Sequence, residues 1–203
     1  MRLSEEFSMK LSNYIKRKVP NKTEEDLEII RYGIEVLFMN ITKFPIILAV
    51  GYGVGLFWYT LYTVIIFGIS RRFVGGIHAR KSITCLISTG LIILGAIYIS
   101  LASQLTIIVK AFIFIVVVCI FFKYAPADTE EKPYLDKNVR QNLKIKSILT
   151  AIVYFLFSIY IKNPFFSNIF MYILLVEAIL ICPITYKILN RRYNNYEYYR
   201  ESI

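Results

Sequence analysis

Long apolar runs separated by short stretches rich in Lys and Arg set the plan of this chain. From Ile29 to Ser70 about 42 residues are predominantly apolar, enough for two membrane crossings at roughly 20 residues each. GYGVG at positions 51–55 is the natural turn between them, the alternative being a close-packed glycine face on a helix. Further runs at 83–102, 106–122, 146–162 and 166–189 each approach the length needed to span a bilayer core. The pattern predicts an all-α polytopic membrane protein with about six transmembrane helices. Ahead of them, Leu3, Phe7, Leu11, Tyr14 and Ile15 recur every three or four positions between charged residues, the spacing of an amphipathic N-terminal helix. Its expected role is packing on the protein's own cytosolic face, with a membrane-surface anchor as the alternative. Pro20 ends that helix, and Thr23-Glu24-Glu25-Asp26 supplies a cap and an acidic first turn for the next.

Composition agrees, since 57% of the 203 residues are hydrophobic and the mean hydropathy is +0.55, more apolar surface than a soluble domain of this size can hide. The 24 Lys and Arg outnumber 14 Asp and Glu, and this excess of +10 falls in 1–43, 71–81, 123–146 and 187–200. With six crossings, all four regions lie in the cytosol, which makes this a multi-pass cell-membrane protein with both termini and the 71–85 region inside. Residues 1–28 read as a cytosolic segment with no apolar core of signal-peptide length, so the first span directs insertion. Neither repeats nor linkers divide the chain, so it reads as one domain over 1–203. Lys43 and Lys110 lie in or near spans, where a lysine snorkels or faces a polar cavity. Glu177, at membrane depth in the last span, is a functional candidate by position, a helix–helix hydrogen bond being its plain alternative. The three cysteines, Cys85, Cys119 and Cys182, show no metal-ligand spacing; no metal, cofactor or nucleic-acid partner is expected.

Candidate chemistry concentrates in SRRFVGGIHARKSITCLISTG, positions 70–90, where the only histidine precedes Cys85 by seven residues at a predicted membrane boundary. A thiol is mostly protonated at neutral pH and needs an imidazole, a cation or a helix amino terminus to become the nucleophilic thiolate. His78 can take the proton, Arg71, Arg72, Arg80 and Lys81 make the surroundings electropositive, and Ser82 can cap a helix with Cys85 in its first turn. In one straight helix, however, seven residues rise about 10.5 Å, too far for proton transfer. A direct dyad needs the chain to break at Gly75-Gly76, which puts His78 on a loop before a helix starting at Ser82. The alternatives are a histidine reaching across a homodimer interface, or a straight helix that rearranges when substrate binds. A histidine and a cysteine seven apart also occur by chance, so the spacing alone is a weak signal.

RRFVGGIHARKSITC resembles the signature of the AgrB family (accessory gene regulator protein B), with its basic pair, diglycine, histidine and cysteine seven residues later. KYAPADTEEKPY at 123–134 resembles that family's cytosolic loop, and the two blocks in order extend the resemblance over most of the chain. The resemblance implies a membrane cysteine endopeptidase that cuts the carboxy-terminal tail from a small AgrD-type precursor peptide of quorum sensing. It makes His78 and Cys85 the catalytic pair and Arg71 a required neighbour, and it implies an acyl-enzyme resolved by closure of a thiolactone or lactone ring. Arg71, Arg72, Arg80 and Lys81 then bind the acidic tail or stabilise the oxyanion, positive-inside topology being the plain alternative for the last three. Gly75 and Gly76 form a backbone turn, admit substrate close to the main chain, or do both. Asp128 is the candidate third catalytic residue, against a turn or cap after Pro126. Two other classes compete: a peptide exporter with Lys110 and Glu177 along its path, and a non-catalytic membrane scaffold.

Overall fold

A computed structural model describes residues 2–18, 24–77, 82–130 and 133–197, and among these the chain is helical apart from short connections. It forms two compact units, Met1–Phe57 with Ala79–Ser88, and Trp58–His78 with Thr89–Ile203.

In the first unit, α1 (Arg2–Lys18) packs on α2 (Glu24–Gly53), with Ser8, Ser12 and Leu27 buried between them and Ser12 Oγ donating to the Leu27 carbonyl at 3.4 Å. The apolar part of α2 is Ile41–Gly53, beginning next to a Thr42 hydroxyl that donates back to the Phe38 carbonyl and containing Pro45. At its end Gly55 sits at φ +73°, a left-handed residue that lets the Leu56 amide return to the Gly51 carbonyl at 2.7 Å and stop the helix. GYGVG thus serves as a turn, although its first three residues finish α2.

The second unit holds α3 (Phe57–Val74) from Trp58, α4 (Ser82–Ala102) from Thr89, α5 (Ile107–Tyr124), α6 (Lys137–Tyr160), α7 (Pro164–Ile181) and α8 (Pro183–Ile188). Among the described residues four helices are long and apolar enough to cross a membrane: Ile83–Ala102, Ile107–Tyr124, Lys137–Tyr160 and Pro164–Ile181. Ile41–Gly53 is shorter, and α3 carries Arg71 and Arg72 in its last turn, so neither is among the four. Helices α5, α6 and α7 pack against one another. α7 lies at their centre, with Ile169, Met171, Ile173, Leu174 and Ile181 fully buried, while large apolar side chains of α4, α5 and α6 such as Leu91, Phe112 and Leu156 stay exposed, the pattern of lipid-facing surface.

Lys110 and Asn168 find partners inside this unit, as a low-dielectric interior favours, whereas the buried Ser100 Oγ has none among the described residues. Lys110 is buried and donates to the Ser158 carbonyl at 3.0 Å and to Ser167 Oγ, tying α5 to α6 and α7. Asn168 donates to the Ser103 carbonyl at 2.6 Å, holding α7 to the end of α4. The boundaries follow local chemistry. Asp136 accepts from the Asn138 amide and starts α6 at Lys137, so much of the stretch expected as a loop to position 146 is helix. The run expected to span 166–189 stops at Ile181, because Pro183 has no amide proton to continue the ladder and opens the short α8 instead.

Candidate active site

The end of α3 shows why a diglycine follows a double arginine. Gly75 and Gly76 have φ of +73° and +106°, so the helix stops at Val74, its last bond running from the Gly75 amide to the Arg71 carbonyl at 3.1 Å. The released strand pairs with the segment after α5: the Ala127 amide donates to the Val74 carbonyl at 3.0 Å and the Gly76 amide to the Ala127 carbonyl at 2.8 Å. Neither glycine tolerates a side chain. A Cβ on Gly75 would run into the Ala127 carbonyl, and one on Gly76 would lie 2.6 Å from Arg71 Nη1 and 3.1 Å from Ile181 Cγ2. The protein's own atoms therefore fill the room that the two missing side chains leave.

Arg71 turns inward rather than toward solution, its side chain only 13% exposed. Nη1 donates to Glu177 Oε2 at 3.1 Å, and Nη2 donates to the carbonyl of Ile77. Ser70 Oγ donates to the other carboxylate oxygen of Glu177 at 3.1 Å. Glu177 is wholly buried on α7, so the acid at membrane depth is the partner of the first arginine in the motif. Arg72, by contrast, is exposed. His78, Arg80 and Lys81 lie outside the described residues.

Cys85 belongs to the first unit and is the fourth residue of α4, half-buried, with its thiol free of any disulfide. Lys43, on the apolar part of α2 in the same unit, brings Nζ to 4.0 Å from Cys85 Sγ. In the sequence Lys43 is only a lysine near a span; its isolation among apolar residues is a signal, but its partner stands 42 residues away. Among the described residues no group of three or more His, Cys, Asp or Glu side chains gathers as a metal site would require.

Asp128 is buried and both its oxygens hold main-chain amides, Oδ1 that of Asn195 at 3.0 Å and Oδ2 that of Tyr196 at 2.8 Å. Burial pushes its carboxyl up, and the amides of Tyr196 and Asn195 oppose that shift. The Tyr186 hydroxyl donates to the Asp128 carbonyl at 2.8 Å, and the Arg192 amide donates to Glu130 Oε1 at 3.2 Å. Asp128 thus caps the last described turn of the chain, a partner far along the sequence rather than its own neighbours. The two charges that suggest a transport path, Lys110 and Glu177, are both engaged inside the protein.

The model of the family described as accessory gene regulator B matches residues 8–181, a span that includes the diglycine, His78, Cys85, Asp128 and Glu177. The chain belongs to the AgrB family. An AgrB-like protein of Clostridium acetobutylicum is 31% identical over 204 residues, covering 100% of this chain and 94% of the relative. One from Listeria innocua is 33% identical over 178 residues, 87% of this chain and 86% of the relative. The accessory gene regulator protein B of Staphylococcus aureus is 30% identical over 157 residues, 77% of this chain and 83% of the relative. No solved structure matches. Membership, with four apolar helices, makes this a membrane protein of accessory gene regulator quorum sensing, functionally linked to an AgrD-type peptide.

Proposed function

We propose that this protein is a membrane cysteine endopeptidase that removes the carboxy-terminal tail of an AgrD-type precursor and leaves a cyclic autoinducing peptide. The observation that carries the reading is the family match across the whole RRFVGGIHARKSITC segment, joined to a helix start at Ser82 that puts Cys85 in the first turn of α4. In the mechanism, His78 takes the Cys85 proton and the thiolate attacks the scissile carbonyl. The carbon–nitrogen bond breaks, the leaving amine receives the proton from His78, and a thioester to Cys85 remains. A thiol or hydroxyl within the peptide then attacks that thioester, closes the ring and returns Cys85. Thioester exchange is close to isoenergetic, so closure needs only the exclusion of water. Topologically, the Lys and Arg distribution supports six crossings, with α2 and α3 joining α4, α5, α6 and α7 and both termini in the cytosol.

A precursor whose ring-forming residue is replaced by alanine tests this directly, since the acyl-enzyme then has no internal acceptor. Incubated with the protein in lipid nanodiscs, it is expected to release its tail and leave a hydroxylamine-sensitive mass adduct on the peptide containing Cys85. Absence of both tail and adduct would overturn the reading.

Lys43 fits the same chemistry, because its ammonium stands 4.0 Å from the sulfur that carries negative charge when it attacks. Lys43→Met is expected to slow alkylation of Cys85 by iodoacetamide at neutral pH roughly tenfold, with Lys43→Arg retaining most of the rate. Equal rates for all three proteins would remove Lys43 from the mechanism.

A further inference from the structure

Arg71 is the arginine that resemblance to the family marks as required, and tail binding or oxyanion stabilisation is the role its charge suggests. The geometry points elsewhere. Its guanidinium is one arm of a buried strap within the second unit: Glu177 on α7 holds Nη1, and Nη2 holds the carbonyl of Ile77, the residue immediately before His78. Ser70, at the same end of α3, donates to the second oxygen of Glu177, so both carboxylate oxygens are engaged from one helix. Gly76 packs against Nη1 with Ile181 of α7 beside the same glycine, and with 13% of the side chain exposed little of Arg71 is left for a substrate. A charge already neutralised by a buried carboxylate contributes little field to attract an acidic tail.

We infer that Glu177 is a positioning residue for the peptidase reaction, fixing the main chain ahead of His78 through Arg71. This rests on the peptidase reading but adds a residue and a role to it. The chain leaves α3 through two left-handed glycines, a path with few side-chain contacts of its own. Besides the buried side chains of Val74 and Ile77, two sets of hydrogen bonds hold it: the Ala127 main chain, which bonds to Val74 and Gly76, and the Arg71 fork, which bonds to Ile77. The fork has a fixed plane, and the bond between Nη1 and Glu177 sets the direction in which Nη2 points. Remove the carboxylate and the guanidinium is free to rotate, releasing the Ile77 carbonyl and with it the placement of the next residue. A displacement of about 1 Å at a catalytic group is enough to lower turnover about a hundredfold.

The strap is tested by two variants with two readouts, in nanodiscs with the precursor peptide. Glu177→Gln keeps the shape of the acid and loses its charge. The double variant Arg71→Met/Glu177→Met removes the strap without leaving a buried charge unpaired, a replacement that folded proteins generally accept. Both are expected to lower kcat for tail release about a hundredfold with KM within about twofold of wild type. In the absence of peptide, both are expected to speed amide hydrogen exchange at Gly75–Ile77 at least about tenfold, with the α5–α7 amides unchanged. If the double variant folds and turns over at the wild-type kcat, or if its loss appears in KM alone as lost tail binding would require, the inference is overturned. The same holds if exchange at Gly75–Ile77 does not change. Should exchange respond while the wild-type protein cleaves no precursor, the strap stands and the peptidase reading falls.

Discussion

Replacing Cys85 with alanine is expected to end tail release altogether, and His78→Gln to lower it by about 10²–10⁴-fold. The two losses differ in kind. Without the sulfur there is no group to attack the scissile carbonyl and no thioester from which a ring can close, so neither the cut nor the cyclisation survives. Without the imidazole, the sulfur and the Lys43 ammonium 4.0 Å from it remain in place, so slow attack is still expected. Co-expression with the precursor, followed by mass spectrometry of both cell-associated and secreted peptide, separates the competing functions. A peptidase loses the released tail in the Cys85→Ala strain. An exporter keeps the cut peptide inside the cell and loses only secretion, and a scaffold shows no dependence on either residue. Accumulation of cut peptide in the Cys85→Ala strain would refute the proposed nucleophile.

The second large effect is expected at Gly75. Gly75→Ala meets two separate penalties: a φ of +73°, which disfavours an L side chain by about 1–2 kcal/mol, and a new methyl directed into the Ala127 carbonyl. The first alone would be tolerated. The second cannot be met by a rotamer change, since the obstacle is main chain already bonded to Gly76, so the pairing of residues 74–76 with Ala127 must open. The strand leaving α3 then loses one of its two anchors, and cleavage is expected to fall at least about a hundredfold, with a lowered thermal midpoint. Gly55→Ala is the matched control. Gly55 has the same φ of +73°, but no described residue lies within 4 Å of where its Cβ would stand, so only the backbone strain applies. That variant is expected to lose about 1 kcal/mol of stability and keep its turnover. Equal behaviour of the two variants, read by cleavage rate and thermal shift, would show that the contact with Ala127 has no part in activity.

Much of the fold is legible in the order of residues alone, because the bilayer imposes a length on apolar segments and helix boundaries obey local rules. The four long apolar helices fall on the expected runs, with six of their eight ends within two residues, and Asn163 before Pro164 and Thr106 before Ile107 cap two of them as those residue types should. Two boundaries differ from expectation although local signals for them are present: Pro183 cuts short the run toward 189, and Asp136 starts α6 well before position 146. The site is legible in part. Gly75 and Gly76 mark the break after α3, and a small polar residue ahead of an apolar run marks the helix beginning at Ser82. The partners of Arg71, Asp128 and Lys43 are not legible, because each lies on another segment and no spacing rule joins them. Glu177 stands out for its depth and Arg71 for its motif, yet they are 106 residues apart. Asp128 resembles the cap of its own turn, and its acceptors serve amides 67 and 68 residues away instead.

The sequence by itself therefore determined that this chain is a helical membrane protein, which family it belongs to and which histidine and cysteine to suspect, since hydropathy, glycine conformation and a local motif are properties of neighbouring residues. What only the tertiary structure decided is where charge goes once it is inside. Arg71 faces Glu177 and the Ile77 carbonyl, Asp128 clasps the last described turn, and Lys43 stands beside the thiol. In a low-dielectric interior each ionised group must find a partner, and packing across the fold, which no local pattern encodes, selects that partner.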